Sequence, residues 1–170
     1  MQILIAYTSK TGTAATCAAM LKDALASSHG VTLCDAGKET IPAPSGFDAV
    51  ILGSSVRMER VSKPIRQYIA RHNDALNAMP CAVFLCCGFP DRFDDYVHDG
   101  IPRTLIPSLG FHCFGGELDP KKAHGIDRLL LRSIRNSIRE HDFEDGFYEG
   151  SLPNILPEAI TRLADRLCGR

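Results

Sequence analysis

At 170 residues the chain is most simply one domain, 1–170, long enough to bury a sizeable core. Its 19 Lys and Arg against 20 Asp and Glu leave a formal net charge of −1, which excludes a bulk electrostatic footprint for nucleic acid. No apolar run approaches the roughly 20 residues of a membrane span, and the N-terminus lacks a signal-peptide layout, so a cytoplasmic protein is expected.

The chain opens with Gln2-Ile3-Leu4-Ile5-Ala6-Tyr7, an apolar β-branched run that reads as a strand buried on both faces. A turn, Thr8-Ser9-Lys10-Thr11-Gly12-Thr13, leads into a first helix expected over 13–28, with His29-Gly30 as its stop signal. Val31-Thr32-Leu33-Cys34-Asp35 is a short second strand, and a polar connection leads to a third strand over 48–53. Ser62-Lys63-Pro64 opens a second helix, with Pro at an early position where its missing N–H does no harm. Ile65, Tyr68, Ile69 and Leu76 give that helix one apolar face. Strand four, 80–86, is the most hydrophobic run, and strand five is expected over 111–115. Gly100, Pro102 and Pro107 break up the intervening stretch. A last amphipathic helix follows Pro157 through Ile160, Leu163, Ala164 and Leu167. Strands alternating with helices, with continuously apolar strands, imply an α/β fold: a doubly wound five-stranded parallel sheet of order 2-1-3-4-5. In such sheets the ligand lies beyond the strand C-termini at the switch point beside strand one, so the loops after strands one, three and four should carry the site.

The 8–13 turn is the first of these. A strand-to-helix turn leaves free backbone N–H groups at a helix N-terminus, where the macrodipole favours an anion. The alternative is that Ser9 or Thr11 merely caps the helix, which contributes about 1 kcal/mol and needs one hydroxyl. The turn offers four hydroxyls and the charge of Lys10, which favours phosphate. It has neither three spaced glycines nor a Gly-Lys-Ser/Thr ending, so a mononucleotide phosphate fits better than a dinucleotide or a Walker loop.

The loop after strand three is Gly53-Ser54-Ser55-Val56-Arg57-Met58-Glu59-Arg60, and that after strand four is Cys87-Gly88-Phe89-Pro90-Asp91-Arg92-Phe93. Small residues in both allow backbone to approach a flat ligand. Met58, Phe89, Phe93 and Tyr96 are able to stack on one, though Phe89 and Phe93 read equally as core plugs. Cysteines at 17, 34, 81, 86, 87, 113 and 168 form no CxxC pair and no metal-ligand spacing, so reduced thiols and no metal are expected. For the adjacent Cys86 and Cys87, packing is favoured over redox chemistry, because neighbouring cysteines rarely have unstrained bridge geometry.

The order of elements, the 8–13 turn and these two loops resemble the flavodoxin-like family, whose ligand is FMN. Within it, Gly53-Ser54-Ser55-Val56-Arg57, Pro80-Cys81-Ala82-Val83-Phe84, Gly115-Gly116-Glu117-Leu118-Asp119 and Ile126-Asp127-Arg128-Leu129 are similar to the flavodoxin-type, menaquinone-dependent protoporphyrinogen oxidases. The resemblance implies that Ser9, Lys10, Thr11, Gly12 and Thr13 hold the FMN phosphate, while Ser55, Val56, Arg57, Cys87, Gly88 and Phe89 border the isoalloxazine. Thr8, Ser54 and Asp91, in the same loops, complete the candidate set. Two departures are plain: Ala14 stands where the family commonly has Thr, and the chain has no Trp, which electron-carrier flavodoxins often stack on the flavin.

The segment 119–150 is too long for a simple connection and is expected to be a helical insertion after strand five. Over 126–140, Ile126, Leu129, Leu130, Ile134 and Ile138 share one side; Arg128, Arg132, Arg135 and Arg139 line the other. That stripe is either an ordinary solvated face or a contact for acidic groups: porphyrin propionates, a partner protein, or the lipid heads of a peripheral membrane contact, where each basic residue gains about 1 kcal/mol. The expected function is an FMN-dependent oxidoreductase moving electrons between a reduced organic substrate, such as a porphyrinogen, and a quinone-like acceptor. The alternative is a non-enzymatic FMN carrier with redox partner proteins. A phospho-accepting receiver would need carboxylates where Thr8-Ser9 and Gly53-Ser54 stand, and a flavin-free interaction module is the remaining reading.

Overall fold

The computed structural model describes residues 1–116 and 154–169. Five strands, β1 (Gln2–Thr8), β2 (Gly30–Asp35), β3 (Ala49–Ser55), β4 (Cys81–Cys86) and β5 (Gly110–Cys113), form one sheet ordered β2-β1-β3-β4-β5. All four pairings are parallel, with Ile3 opposite both Val31 and Ala49, Val50 opposite Cys81 and Leu85 opposite Cys113. Helices α1 (Thr13–Leu25), α2 (Lys63–Asn77), α3 (Phe93–Gly100) and α4 (Pro157–Cys168) cover the two faces. No helix among the described residues is long and apolar enough to cross a membrane.

The period of two along each strand divides the core. Ile3, Ile5, Ile51, Ala82 and Phe84 face Leu21 and Leu25 of α1 with Ile160 and Leu163 of α4. Leu4, Ala6, Val50, Leu52, Val83 and Leu85 face Ile65, Tyr68, Ile69 and Leu76 of α2, joined by Tyr96 and Ile101. The four apolar positions expected on the second helix are all buried. These central strands are continuously apolar because both faces are covered.

Several boundaries differ from the sequence expectation. Helix α1 ends at Leu25, three residues short of 28, because Ser28 and His29 both turn their N–H groups back onto the Leu25 carbonyl, at 3.1 and 3.0 Å. Gly30 is therefore not a helix stop but the first residue of β2. Strand β3 runs on through Ser55, since Ser54 and Ser55 find partners in Leu85 and Cys86. Strand β5 ends at Cys113 rather than 115; Gly115 leaves the sheet to make an antiparallel bridge with Ile155. The stretch that Gly100 and Pro102 obscured holds a 3-10 turn at Pro90–Arg92 and then α3. The 119–150 insertion lies outside the described residues.

Candidate functional site

Helix α1 begins on Gly12 in the left-handed region (φ 95°, ψ −23°) with no side-chain cap. A residue with a Cβ is strained there, so glycine is required by the backbone rather than by crowding. Among the described residues, none of the backbone N–H groups from Ser9 to Ala15 donates to a carbonyl oxygen. The first helical turn carries no acidic side chain, so nothing within the helix itself offsets the positive end of its dipole. In the same turn the Ser9 hydroxyl is buried and has no hydrogen-bond partner. Leaving a buried polar group unmet costs about 1–3 kcal/mol, so the capping alternative fails and an anion acceptor fits. Lys10 is exposed beside it, Thr11 is half-buried and Thr13 is buried.

Thr8 is already engaged. Its Oγ1 donates to Ser62 Oγ at 2.7 Å, linking the end of β1 to the residue that precedes α2. Ser62 N in turn donates to Ser54 Oγ at 3.0 Å, and Ser54 Oγ donates to the Ser55 carbonyl at 2.9 Å. Ser54 is fully buried. These bonds fasten the loops after β1 and β3 to the start of α2, a role for Ser62 that its position before Lys-Pro had suggested only as a helix opener. Ala14, where a hydroxyl was missing from the family pattern, is fully buried in the α1-side core.

At the end of β3, Ser55 and the following Val56 are half-buried, and Val56 N donates to the Cys86 carbonyl at 2.8 Å. Arg57 and Arg60 exchange backbone hydrogen bonds of 3.1 and 3.0 Å around a two-residue turn in which Met58 (φ 48°) and Glu59 (φ 61°) are both left-handed. The turn projects an exposed Met58, and Arg57 is exposed at its base. Past β4, Cys87 is buried, Gly88 and Phe89 are half-buried and Asp91 is exposed. Phe93 packs on the α2-side core, as the plug alternative held for it. Arg92 pairs with Glu59, lies 3.6 Å from Asp95 and sits 5.5 Å over the Tyr96 ring. Glu59 holds the Arg92 guanidinium above its usual range, and burial raises the Tyr96 hydroxyl. The Glu59–Arg92 pair therefore joins the two outer loops.

Because β1, β3 and β4 are adjacent, their C-terminal loops gather at one edge of the sheet, as a doubly wound order requires. Thr8 to Thr13, Ser54 to Arg57 and Cys87 to Asp91 all leave from that edge. The Arg128, Arg132, Arg135 and Arg139 stripe lies outside the described residues. Sequence reasoning missed Ser62, Glu59 and Arg92 as connectors, since each acts across elements that only the sheet order brings together.

The flavodoxin domain family matches the sequence over residues 4–145. A flavodoxin from Streptococcus pneumonia TIGR4 has a TM-score of 0.57 at 14% identity, covering 99% of this chain and 99% of that one. Two-electron reduced Megasphaera elsdenii flavodoxin has a TM-score of 0.51 at 17% identity, covering 65% of this chain and 84% of that one. No curated protein matches the sequence.

Proposed function

The chain belongs to the flavodoxin domain family, with a fold built to bind FMN for electron transfer, and from that premise we propose that it is an FMN-dependent oxidoreductase. Its substrate on this reading is a reduced organic molecule of the porphyrinogen kind, and its acceptor is quinone-like. The observation that carries the cofactor assignment is the buried, partnerless Ser9 hydroxyl among unused N–H groups at the start of α1. These residues fit a phosphate ester, and among the described residues no side chain or carbonyl meets the Ser9 hydroxyl.

Bound FMN supplies the redox chemistry; the protein supplies binding, orientation and electrostatics. The N–H groups of Ser9 to Ala15 and the hydroxyls of Ser9, Thr11 and Thr13 would hold the phosphate dianion, with Lys10 adding a screened positive charge. The Thr8 hydroxyl is given to Ser62 Oγ, and the Ser54 hydroxyl accepts from the Ser62 N–H and donates to the Ser55 carbonyl, so these residues would fix the walls rather than touch the phosphate. Ser55, Val56 and Arg57 on one side and Cys87, Gly88, Phe89 and Asp91 on the other would border the ring. The Glu59–Arg92 pair would hold these two borders together at the solvent edge. The exposed Met58 takes the place of the tryptophan that this chain lacks, which supports an enzyme over a carrier.

The enzyme and carrier readings separate by electron count. A potentiometric titration of the FMN-loaded protein should follow a two-electron slope of about 30 mV per decade; about 59 mV would support the carrier. Anaerobic mixing with protoporphyrinogen and a soluble quinone should then yield porphyrin fluorescence in proportion to quinone consumed. Oxidation no faster than in buffer would remove the porphyrinogen assignment while leaving the FMN site standing.

A further inference from the structure

The two adjacent cysteines at the end of β4 point to opposite faces, and each meets another cysteine. Cys86 Sγ lies 3.6 Å from Cys17 Sγ beneath α1, and Cys87 Sγ lies 3.7 Å from Cys113 Sγ of β5. The pairs differ in access. Cys17 and Cys86 are both buried in the α1-side core, whereas Cys113 is only half-buried and belongs to β5, at the edge of the sheet. We propose that Cys87 and Cys113 form a reversible dithiol–disulfide site, with Cys113 the thiol that a hydroperoxide reaches and Cys87 the thiol that resolves it.

The register of the sheet brings the two thiols into contact. Leu85 is opposite Cys113 in the parallel register, and Cys87 N continues that register by bonding the Gly115 carbonyl at 3.0 Å. Cys87 is then the same-face diagonal neighbour of Cys113, and both pack with the α2-side core. A disulfide needs its sulfurs at about 2.05 Å, so they must close from van der Waals contact. Both thiols lie where the chain leaves its strand, so the closure is taken up at strand ends and not within the sheet. Access assigns the roles, since Cys113 is half-buried and Cys87 is buried, and the electrostatics run the same way. Hydrogen bonding from the Cys87 thiol, helped by the Gly115 N–H, draws the Cys113 thiol down to about 7, against the pull of burial. The same contact, with burial, pushes the Cys87 thiol up.

The balance is simple. The Cys113 thiolate attacks one peroxide oxygen, forming an S–O bond and breaking the O–O bond; the other oxygen leaves as water or alcohol and takes a proton. Cys87 then attacks the Cys113 sulfur, forming the S–S bond and expelling hydroxide, which leaves as water with the Cys87 proton. Two thiols and one hydroperoxide become one disulfide, one water and one water or alcohol, and an external thiol reverses it.

The site does not depend on the flavin reading. The full chain, freed of reductant and treated with equimolar hydrogen peroxide, is digested without reduction and mapped by mass spectrometry. The expected result is a Cys87–Cys113 linked peptide, two hydrogens lighter and restored by dithiothreitol. With Cys87→Ser, the resolving thiol is gone and dimedone should trap Cys113 as the sulfenic acid, whereas the wild type should yield the disulfide instead. A wild-type map with no Cys87–Cys113 link, with a Cys17–Cys86 link in its place, or with Cys168 oxidised first, overturns the proposal whatever the variant does.

Discussion

Gly53 of β3 lies directly opposite Phe84 of β4, and a Cβ on Gly53 would fall 2.1 Å from the Phe84 Cζ. The ring cannot retreat, because Phe84 is fully buried and stacked on Phe114 at 4.6 Å and 18°. Gly53→Ala should therefore destabilise the protein by about 1–3 kcal/mol through overpacking. Urea unfolding should show a midpoint lowered on the order of 1 M. Gly46→Ala, where a Cβ meets nothing within 4 Å, should move stability by less than about 0.5 kcal/mol.

Ser9 offers a prediction in which binding and stability move in opposite directions. Its buried hydroxyl is unmet without ligand, so Ser9→Ala should leave the FMN-free protein as stable or more stable by up to about 1 kcal/mol. The same change removes a charge-assisted hydrogen bond worth about 1.5–3 kcal/mol to a phosphate, weakening FMN about tenfold or more. Paired thermal melts and fluorescence titrations check both signs; weakened folding with unchanged FMN affinity would contradict the assignment.

At the tip of the β3 loop, Met58 and Glu59 hold left-handed backbone that ordinary side chains resist, at a cost of about 1–2 kcal/mol per residue. Asn tolerates that region and suits the first position of such a turn. Met58→Asn should raise stability by about 0.5–1 kcal/mol by chemical denaturation. Glu59→Gly should gain less, since it also removes the exposed pair with Arg92.

His112 sets a pH dependence. Burial lowers its pKa below 6.5, and Arg166 and Arg162 push the same way; its Nε2–H is spent on the Leu109 carbonyl at 2.8 Å. The folded state thus binds the proton less readily than the unfolded chain. The stability it contributes is present above about 6.5 and is lost as pH falls through the lower folded value. Urea midpoints measured from pH 7.5 down to 5 should fall less steeply in His112→Gln than in wild type.

The parallel sheet was legible because its evidence is local: apolar runs of strand length and the buried stripe of Ile65, Tyr68, Ile69 and Leu76 each announce themselves within a dozen residues. The 8–13 turn was legible for the same reason, since hydroxyls and a glycine between strand and helix are contiguous. The Thr8–Ser62 bond spans 54 positions and depends on β1 lying beside β3, which no local pattern encodes. The Cys87–Cys113 contact likewise exists only because β5 pairs with β4, which the adjacency of Cys86 and Cys87 in the sequence does not reveal. Helix α3 was hidden by the Gly100 and Pro102 at its end, which signal a break but not the eight helical residues before it.

The account rests on a phosphate ester seated at the start of α1, and comparing two flavins that differ only by that group isolates it. Fluorescence titration of flavin-free protein should give FMN a dissociation constant at least about a hundredfold below that of riboflavin, as two or more charge-assisted hydrogen bonds require. Equal affinity for the two, or no binding of either, would contradict it.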